Sequence, residues 1–346
     1  MLGTGFLYDP EFLRHNSPGH PESAQRLSRV WPVLEEGGVL NRLVRIPARK
    51  ASQEELLAVH TASHLETIKR ASLGAGRYVD VDTYVVNGSY DVAVLAAGGT
   101  IDLVQAVLSG EISNGYGLVR PPGHHATSAR AMGFCLLNNV ALAARAALAH
   151  RLVRRILVAD IDVHHGNGTQ EVFASDPDVF YFSVHQYPHY PGTGHWRETG
   201  EGVGEGTVLN VPLPAGVGDR GYARVIDEAL WPVATRFDPD VLLVSVGYDA
   251  HWRDPLAAMN LTLTGYGALQ ARLVQMACEL CEGRIVFVLE GGYDPDVLAW
   301  GVLNALKALC GDGVCGELAD PVGASPRGER EVDALLSTIR RLHRVD

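Results

Sequence analysis

The chain has 346 residues, 47% of them hydrophobic and 20% charged, and 29 Lys and Arg against 40 Asp and Glu give a formal charge of −11. This balance argues against disorder, and the acidity against nonspecific nucleic-acid binding, which rests on cations neutralising phosphate. Five cysteines are no disulfide framework and fit a reducing cytoplasm; no uninterrupted apolar run reaches the roughly 18 residues of a membrane span, and residues 1–20 mix Asp9, Glu11, Arg14 and His15 with apolar residues, unlike a signal peptide.

In chain order, short β-rich runs at 5–8, 43–46, 116–120, 154–162, 178–184, 207–211, 240–247 and 284–290 read as strands. The clearest of them are apolar throughout rather than alternating, as expected of strands buried on both faces. Helical patterns fall between them, at 22–36, 53–72, 90–109, 137–150, 220–236, 265–280 and 295–309. Such alternation predicts an α/β fold: a three-layer αβα open sheet of about eight parallel strands. One domain is expected over 1–346, with 316–346 opening in turn residues and ending in a polar helix packed outside.

In parallel sheets the working crevice lies beyond the carboxyl ends of the strands. Four predicted ends carry polar clusters: Pro121-Pro122-Gly123-His124-His125, Asp160 through Gly168, Tyr248-Asp249-Ala250-His251 and Gly291-Gly292-Tyr293-Asp294. Residues two apart on a strand point the same way, so Asp162 and His164 can grip one ion, with Asp160 one step behind. Asp249 can add a third ligand from a neighbouring strand. Two carboxylates and one imidazole suit zinc, ferrous iron or cobalt, with a position left for water. The blander reading is polar residues capping strand ends.

His124 and His125 follow a rigid turn and can serve as a general base; the plain alternative is a histidine pair bonded to backbone. Tyr293 follows two glycines, and its hydroxyl can donate to a developing oxyanion. An arginase-like two-metal site would read Asp-x-His-x-Asp, but Asp162-Val163-His164-His165-Gly166 places glycine where the second carboxylate is needed. Cys278 and Cys281 form a C-x-x-C in a helical run and read as core. His185, His189 and His195 read as surface or tunnel-rim residues.

These residues resemble the histone deacetylase superfamily, nearest its class II-like bacterial members. The match runs through Gly19-His20-Pro21-Glu22-Ser23 with Arg26-Leu27, Arg120 to Ala126, Gly133-Phe134-Cys135 with Asn138, 160–169, Tyr190 to Gly194, Gly247 to Ala250 and Glu290 to Tyr293. The resemblance implies the arginase/deacetylase fold and zinc held by Asp162, His164 and Asp249. It implies catalytic roles for His124, His125 and Tyr293, His125 being the favoured base and acid. Asp160 would orient the first histidine, and Asn167 would stand beside the second. Gly133, Phe134, Tyr190, Leu256 and Gly292 would border an acyl-lysine tunnel. A structural potassium ion would use Asp160 and Ser183 with the carbonyls of Asp162, His164 and Val184. A second would use the segment of Phe173, Asp176 and Val179.

Three positions distinguish this chain. Asn167 stands where class I members carry an aspartate, and a neutral partner supports an imidazolium less. Tyr190 replaces the commoner phenylalanine. Leu256 stands where a polyamine-selective relative carries a glutamate. The expected activity is deacetylation of acyl-lysine in proteins or peptides. A small-molecule amidohydrolase such as an acetylpolyamine deacetylase is the alternative, and a noncatalytic acyl-lysine binder would need damaged ligands that are not seen. Neither nucleic acid nor membrane is an expected partner, and a homo-oligomer stays open.

Overall fold

The computed structural model describes residues 2–313 and 326–345. Its strands are β1 (Thr4–Leu7), β2 (Leu43–Ile46), β3 (Arg77–Tyr78), β4 (Tyr84–Val85), β5 (Asn114–Gly117), β6 (Ile156–Asp160), β7 (Val179–Gln186), β8 (Val208–Leu213), β9 (Val241–Val246) and β10 (Ile285–Leu289). Eight form one sheet in the order β2-β1-β5-β10-β9-β6-β7-β8. Every pairing in it is parallel. All eight predicted strands are therefore present. The exception to their geometry is a small antiparallel pair, β3 with β4, which the sequence pattern does not announce.

The central strands are buried along their whole length, as their unbroken apolar runs require. Ser89–Leu108 and Asn139–Ala149 pack together over one side, the first against β1, β5 and β10. Leu263–Leu280, Pro295–Leu309 and Val30–Glu36 pack as a second helical layer. Ser89–Leu108 is long and apolar enough to span a bilayer, but 72% of its apolar window is buried within the protein, as in a core helix. The described part of the C-terminal segment, Pro326–His343, lies against β8. Residues 316–325 of the predicted extension and Asp346 lie outside the described residues.

Three predicted helices are segmented. The 22–36 run divides into Gln25–Ser28 and Val30–Glu36. The 53–72 run divides because Thr61 caps a new helix, its side chain accepting from His64 N–H. The 220–236 run holds a π turn at Ile226–Leu230, followed by Pro232 in the first turn of Trp231–Phe237. Strand β5 ends at Gly117, three residues short of the predicted Arg120, so 118–120 already belong to the loop that carries His124.

Candidate active site

The four polar clusters follow β5, β10, β9 and β6, which are adjacent at the centre of the sheet. Parallel pairing puts their ends on one edge. The register sets Asp160, the last residue of β6, opposite Ser245 of β9 and Ser183 of β7.

Asp162, His164 and Asp249 are all buried, with ligand atoms within 4.8 Å of one another. His164 Nδ1 lies 3.1 Å from Asp162 Oδ1 and 3.3 Å from Asp249 Oδ2. Each carboxylate is anchored by backbone. Asp162 Oδ2 accepts from Gly291 N–H at 2.8 Å, and Asp249 Oδ1 from Val163 N–H at 3.1 Å. Asp249 Oδ2 is buried, has no backbone donor among the described residues, and faces His164 Nδ1. Gly291 makes this approach feasible, since a Cβ there would stand 2.0 Å from Asp249 Oδ2. Burial, then the charge of Asp162, push the Asp249 pKa up. Burial works against charging His164, but the two carboxylates outweigh it and raise its pKa to about 10. Crowded buried carboxylates, one oxygen of which has no hydrogen bond of good geometry, and a converging imidazole fit a divalent cation.

A second trio, His124, Cys135 and Glu290, is equally close. Its donors are committed elsewhere. Glu290 Oε2 accepts from the Gly123 and His124 amides at 2.6 and 3.1 Å, and His124 Nδ1 faces Asp160 Oδ2 at 3.0 Å.

The tandem histidines differ in charge. Burial opposes protonation of His124, yet Asp160 and Asp162 override it and raise its pKa to about 10. His125 is pushed well below the usual range by burial, then by its histidine neighbours. Its Nδ1 lies 2.8 Å from Asn167 Oδ1, an acceptor, so Nδ1 carries the hydrogen and Nε2 is left as a base. Gly133 has φ +53°, and a Cβ on it would strike the His125 ring at 2.3 Å.

A cavity of about 220 Å³ is lined by Asp82, His125, Gly133, Phe134, His164, His189, Tyr190, Leu256 and Tyr293. Four of the five predicted tunnel residues are among them. Gly292 is not: it packs on Tyr248, and its carbonyl accepts from Arg26 Nε at 2.7 Å. Burial keeps the Tyr293 phenol protonated by raising its pKa well above the ordinary value. The Tyr190 hydroxyl is buried without a partner, while its ring meets His125 edge-on at 5.1 Å.

Sequence reasoning missed three contributors. Asp82 reaches the cavity from the segment between β3 and β4. Glu290 holds the histidine loop by its amides. Arg26 binds the carbonyls of Glu290 and Gly292 and lies 5.0 Å from the Tyr293 ring. A D-x-D before a short strand was the available signal for Asp82; Glu290 and Arg26 stood in quoted motifs without an assigned contact.

Of the predicted potassium residues, Asp160 at the end of β6 is in register with Ser183 of β7, which Val184 follows, and Asp162 and His164 lie in the loop after β6. Ser183 Oγ lies 2.9 Å from His185 Nδ1. His185 Nε2 lies 2.9 Å from the Gly194 carbonyl, so Nε2 is the donor and Ser183 gives its hydrogen to Nδ1. Phe173 and Val179 are buried, and Asp176 between them pairs with Arg145, whose guanidinium lies 4.6 Å from the Phe173 ring.

A family model described as a histone deacetylase domain matches residues 20–309. A probable deacetylase of the archaeon Archaeoglobus fulgidus is 43% identical over 312 residues, 89% of this chain and 86% of its own. Histone deacetylase 10, chloroplastic, of Oryza sativa is 37% identical over 347 residues, 95% of this chain and 78% of its own. The crystal structure of the HDA15 HD domain superposes with a TM-score of 0.90 at 36% identity, covering 99% of this chain and 96% of that one, so the sheet is that of the arginase/deacetylase fold. With its central strands, converging polar ends and matched residues all of this kind, the chain belongs to the histone deacetylase family and is a hydrolase of amide bonds.

Proposed function

We propose that the chain is a zinc-dependent deacetylase that removes acetyl or short acyl groups from the lysine side chains of proteins or peptides. The observation that carries this reading is one cavity lined by His125, His164 and Tyr293, beside the Asp162–His164–Asp249 cluster. Those three residues would hold zinc, with ferrous iron or cobalt as substitutes. When bound, the cation supplies a Lewis acid for the amide carbonyl and acidifies the attacking water.

The chain's own groups do the rest. His125 accepts a proton from water at Nε2 while Nδ1–H stays on Asn167. The Tyr293 hydroxyl donates to the oxygen on which negative charge develops. His125 then returns its proton to the departing lysine nitrogen, giving acetate and a free amine. His124, charged against Asp160, orients the pair and adds positive potential.

Potassium is assigned to Asp160 and Ser183 with the Asp162, His164 and Val184 carbonyls, a reading supported by the register that sets Asp160 beside Ser183. A second ion is assigned to the Phe173, Asp176 and Val179 segment. The cytoplasm is the proposed location, since Cys135, Cys278, Cys281 and Cys310 are free thiols.

A second substrate, an acetylated polyamine, is favoured by one observation: Asp82 puts a carboxylate on the cavity wall that can meet a distant ammonium. Leu256 on the same wall speaks against it. The test is acetate release from an acetyl-lysine peptide and an acetylpolyamine side by side, with metal-loaded protein and a chelated control. Chelator-sensitive turnover favouring the peptide supports the main reading. A polyamine preference replaces the substrate, and no release from either refutes both.

A further inference from the structure

Asp254 lies in the loop after β9, five residues beyond Asp249, and is 6% exposed. Its two oxygens have separate uses. Oδ2 accepts from the backbone N–H of Tyr293 at 2.7 Å, joining positions 39 residues apart. Oδ1 accepts from the backbone N–H of Leu256 at 2.9 Å. Tyr293 and Leu256 both line the cavity, while Asp254 stands behind them.

The same loops are tied at neighbouring points. Arg253 Nη2 lies 3.0 Å from Asp294 Oδ2, so two successive residues of one loop hold two successive residues of the other. Asp294 also caps Pro295–Leu309 by accepting from the Asp296 and Val297 amides. Leu256 is gripped again through its carbonyl, which accepts from His189 Nε2 at 3.0 Å. The His189 ring in turn stacks on His164, with centroids 5.2 Å apart. Arg26 fixes the Gly292 carbonyl just before Tyr293.

We infer that Asp254 is a positioning residue for the amide hydrolysis, a single carboxylate that sets both the Tyr293 phenol and the Leu256 wall. The inference rests on the reading of Tyr293 as the oxyanion donor. The pattern demands two acceptors. A carboxylate offers one oxygen to each amide, whereas the isosteric Asn turns its NH2 toward one of the two N–H groups. The carboxylate also works at a distance from the reacting atoms, so its effect is transmitted through Tyr293. A shift of about 1 Å in a reacting group can cost on the order of 100-fold in rate.

The experiment compares the metal-loaded wild type with D254N, Y293F and D254N/Y293F on an acetyl-lysine peptide. D254N is expected to lower kcat about 10- to 100-fold. It should raise KM by a smaller factor through Leu256. In the Y293F background the added loss in kcat should shrink below about threefold, because residues acting as a unit are not additive. A merely structural role would instead multiply the two losses, and that outcome overturns the inference. Wild-type kcat in D254N, with Y293F impaired, also overturns it. Wild-type kcat in Y293F strikes the Tyr293 reading itself and removes the inference with it. Amide hydrogen exchange on the unmodified protein gives an answer even where D254N does not fold. The Tyr293 and Leu256 amides should be protected together, and open-chain exchange at either one overturns the inference.

Discussion

His125 Nδ1 lies 2.8 Å from the side-chain oxygen of Asn167, so a neutral amide backs the ring proposed to take the proton. The amide fixes the tautomer but adds no charge to stabilise an imidazolium. Burial, then the neighbouring histidines, already hold the His125 pKa down. N167D adds a carboxylate at hydrogen-bonding distance, which favours the protonated ring. The acid limb of the kcat–pH profile should therefore move to higher pH, by about one to two units. An acid limb that stays in place in N167D would remove His125 as the titrating base.

Tyr293 faces the cavity with its phenol protonated across the working pH range. Y293F deletes the proposed oxyanion donor without touching the proposed cation ligands. The loss expected in kcat is about 10²–10³-fold, with KM nearly unchanged. Zinc content measured on the same sample should match the wild type. A proportional loss of zinc would mean that the substitution acts through the metal centre instead.

Much of this site was legible because its chemistry sits at strand ends. Apolar runs at β6, β9 and β10 locate the sheet's centre, and the clusters Asp160 to Gly168, Tyr248 to His251 and Gly291 to Tyr293 follow them directly. The sheet order could not be read, yet it makes β5, β10, β9 and β6 neighbours. Asp82 was missed for a related reason. It arrives from a loop that no periodic pattern ties to the crevice, and its backbone carbonyl is fixed by His20 Nε2, 3.1 Å away and 62 residues distant in the chain. Likewise, nothing local in Arg26 indicates that its guanidinium grips the carbonyls of Glu290 and Gly292, since those contacts exist only once the chain has folded.

Asp162 and Asp249 crowd two buried carboxylates against one imidazole, so the proposed cation should stabilise the fold as well as serve the chemistry. Zinc added to chelated protein should raise the melting temperature. At 100 times its dissociation constant, a ligand that binds only the folded state adds about 2.7 kcal/mol. D249N, which loses one anionic ligand, should show a much smaller rise at the same zinc concentration. Scanning calorimetry checks this, and equal shifts in the two proteins would exclude Asp249 from the cation site.

His60 ties together the two ends of the loop 127–138, which follows the tandem histidines. Its Nδ1 lies 3.0 Å from the Thr127 carbonyl, and its Nε2 accepts from Asn138 N–H at 2.9 Å. Protonating Nε2 would turn a donor against a donor. Burial, then His64, lower its pKa from 6.5 to about 3. The unfolded chain thus binds the proton more readily, and stability falls as pH drops from about 6.5 toward about 3. At pH 5 the contribution lost is about 2 kcal/mol, from about 1.5 pH units at ~1.4 kcal/mol each. H60Q can keep both hydrogen bonds but does not titrate. Its loss of stability between pH 7 and pH 5, measured by urea unfolding, should be smaller than the wild type's by that amount. Parallel losses in the two proteins would count against this assignment.

Leu256 stands on the cavity wall, held from one side by Asp254 and from the other by His189. Its apolar side chain gives a distant substrate ammonium nothing to pair with. Asp82 lines the same wall, so on the proposed reading the substrate balance would depend on how many anions face the entering chain. L256E adds a second anion at a fixed backbone position, since both main-chain bonds of residue 256 are independent of its side chain. An ammonium paired with a partly buried carboxylate gains more than a solvated one. The ratio of kcat/KM for acetylpolyamine over acetyl-lysine peptide should rise at least about tenfold, equivalent to ~1.4 kcal/mol of differential transition-state binding. The gain should fade at high salt, because part of it is screened charge attraction. An unchanged ratio at low salt would mean that residue 256 does not set this choice, leaving Asp82 as the carboxylate to test next.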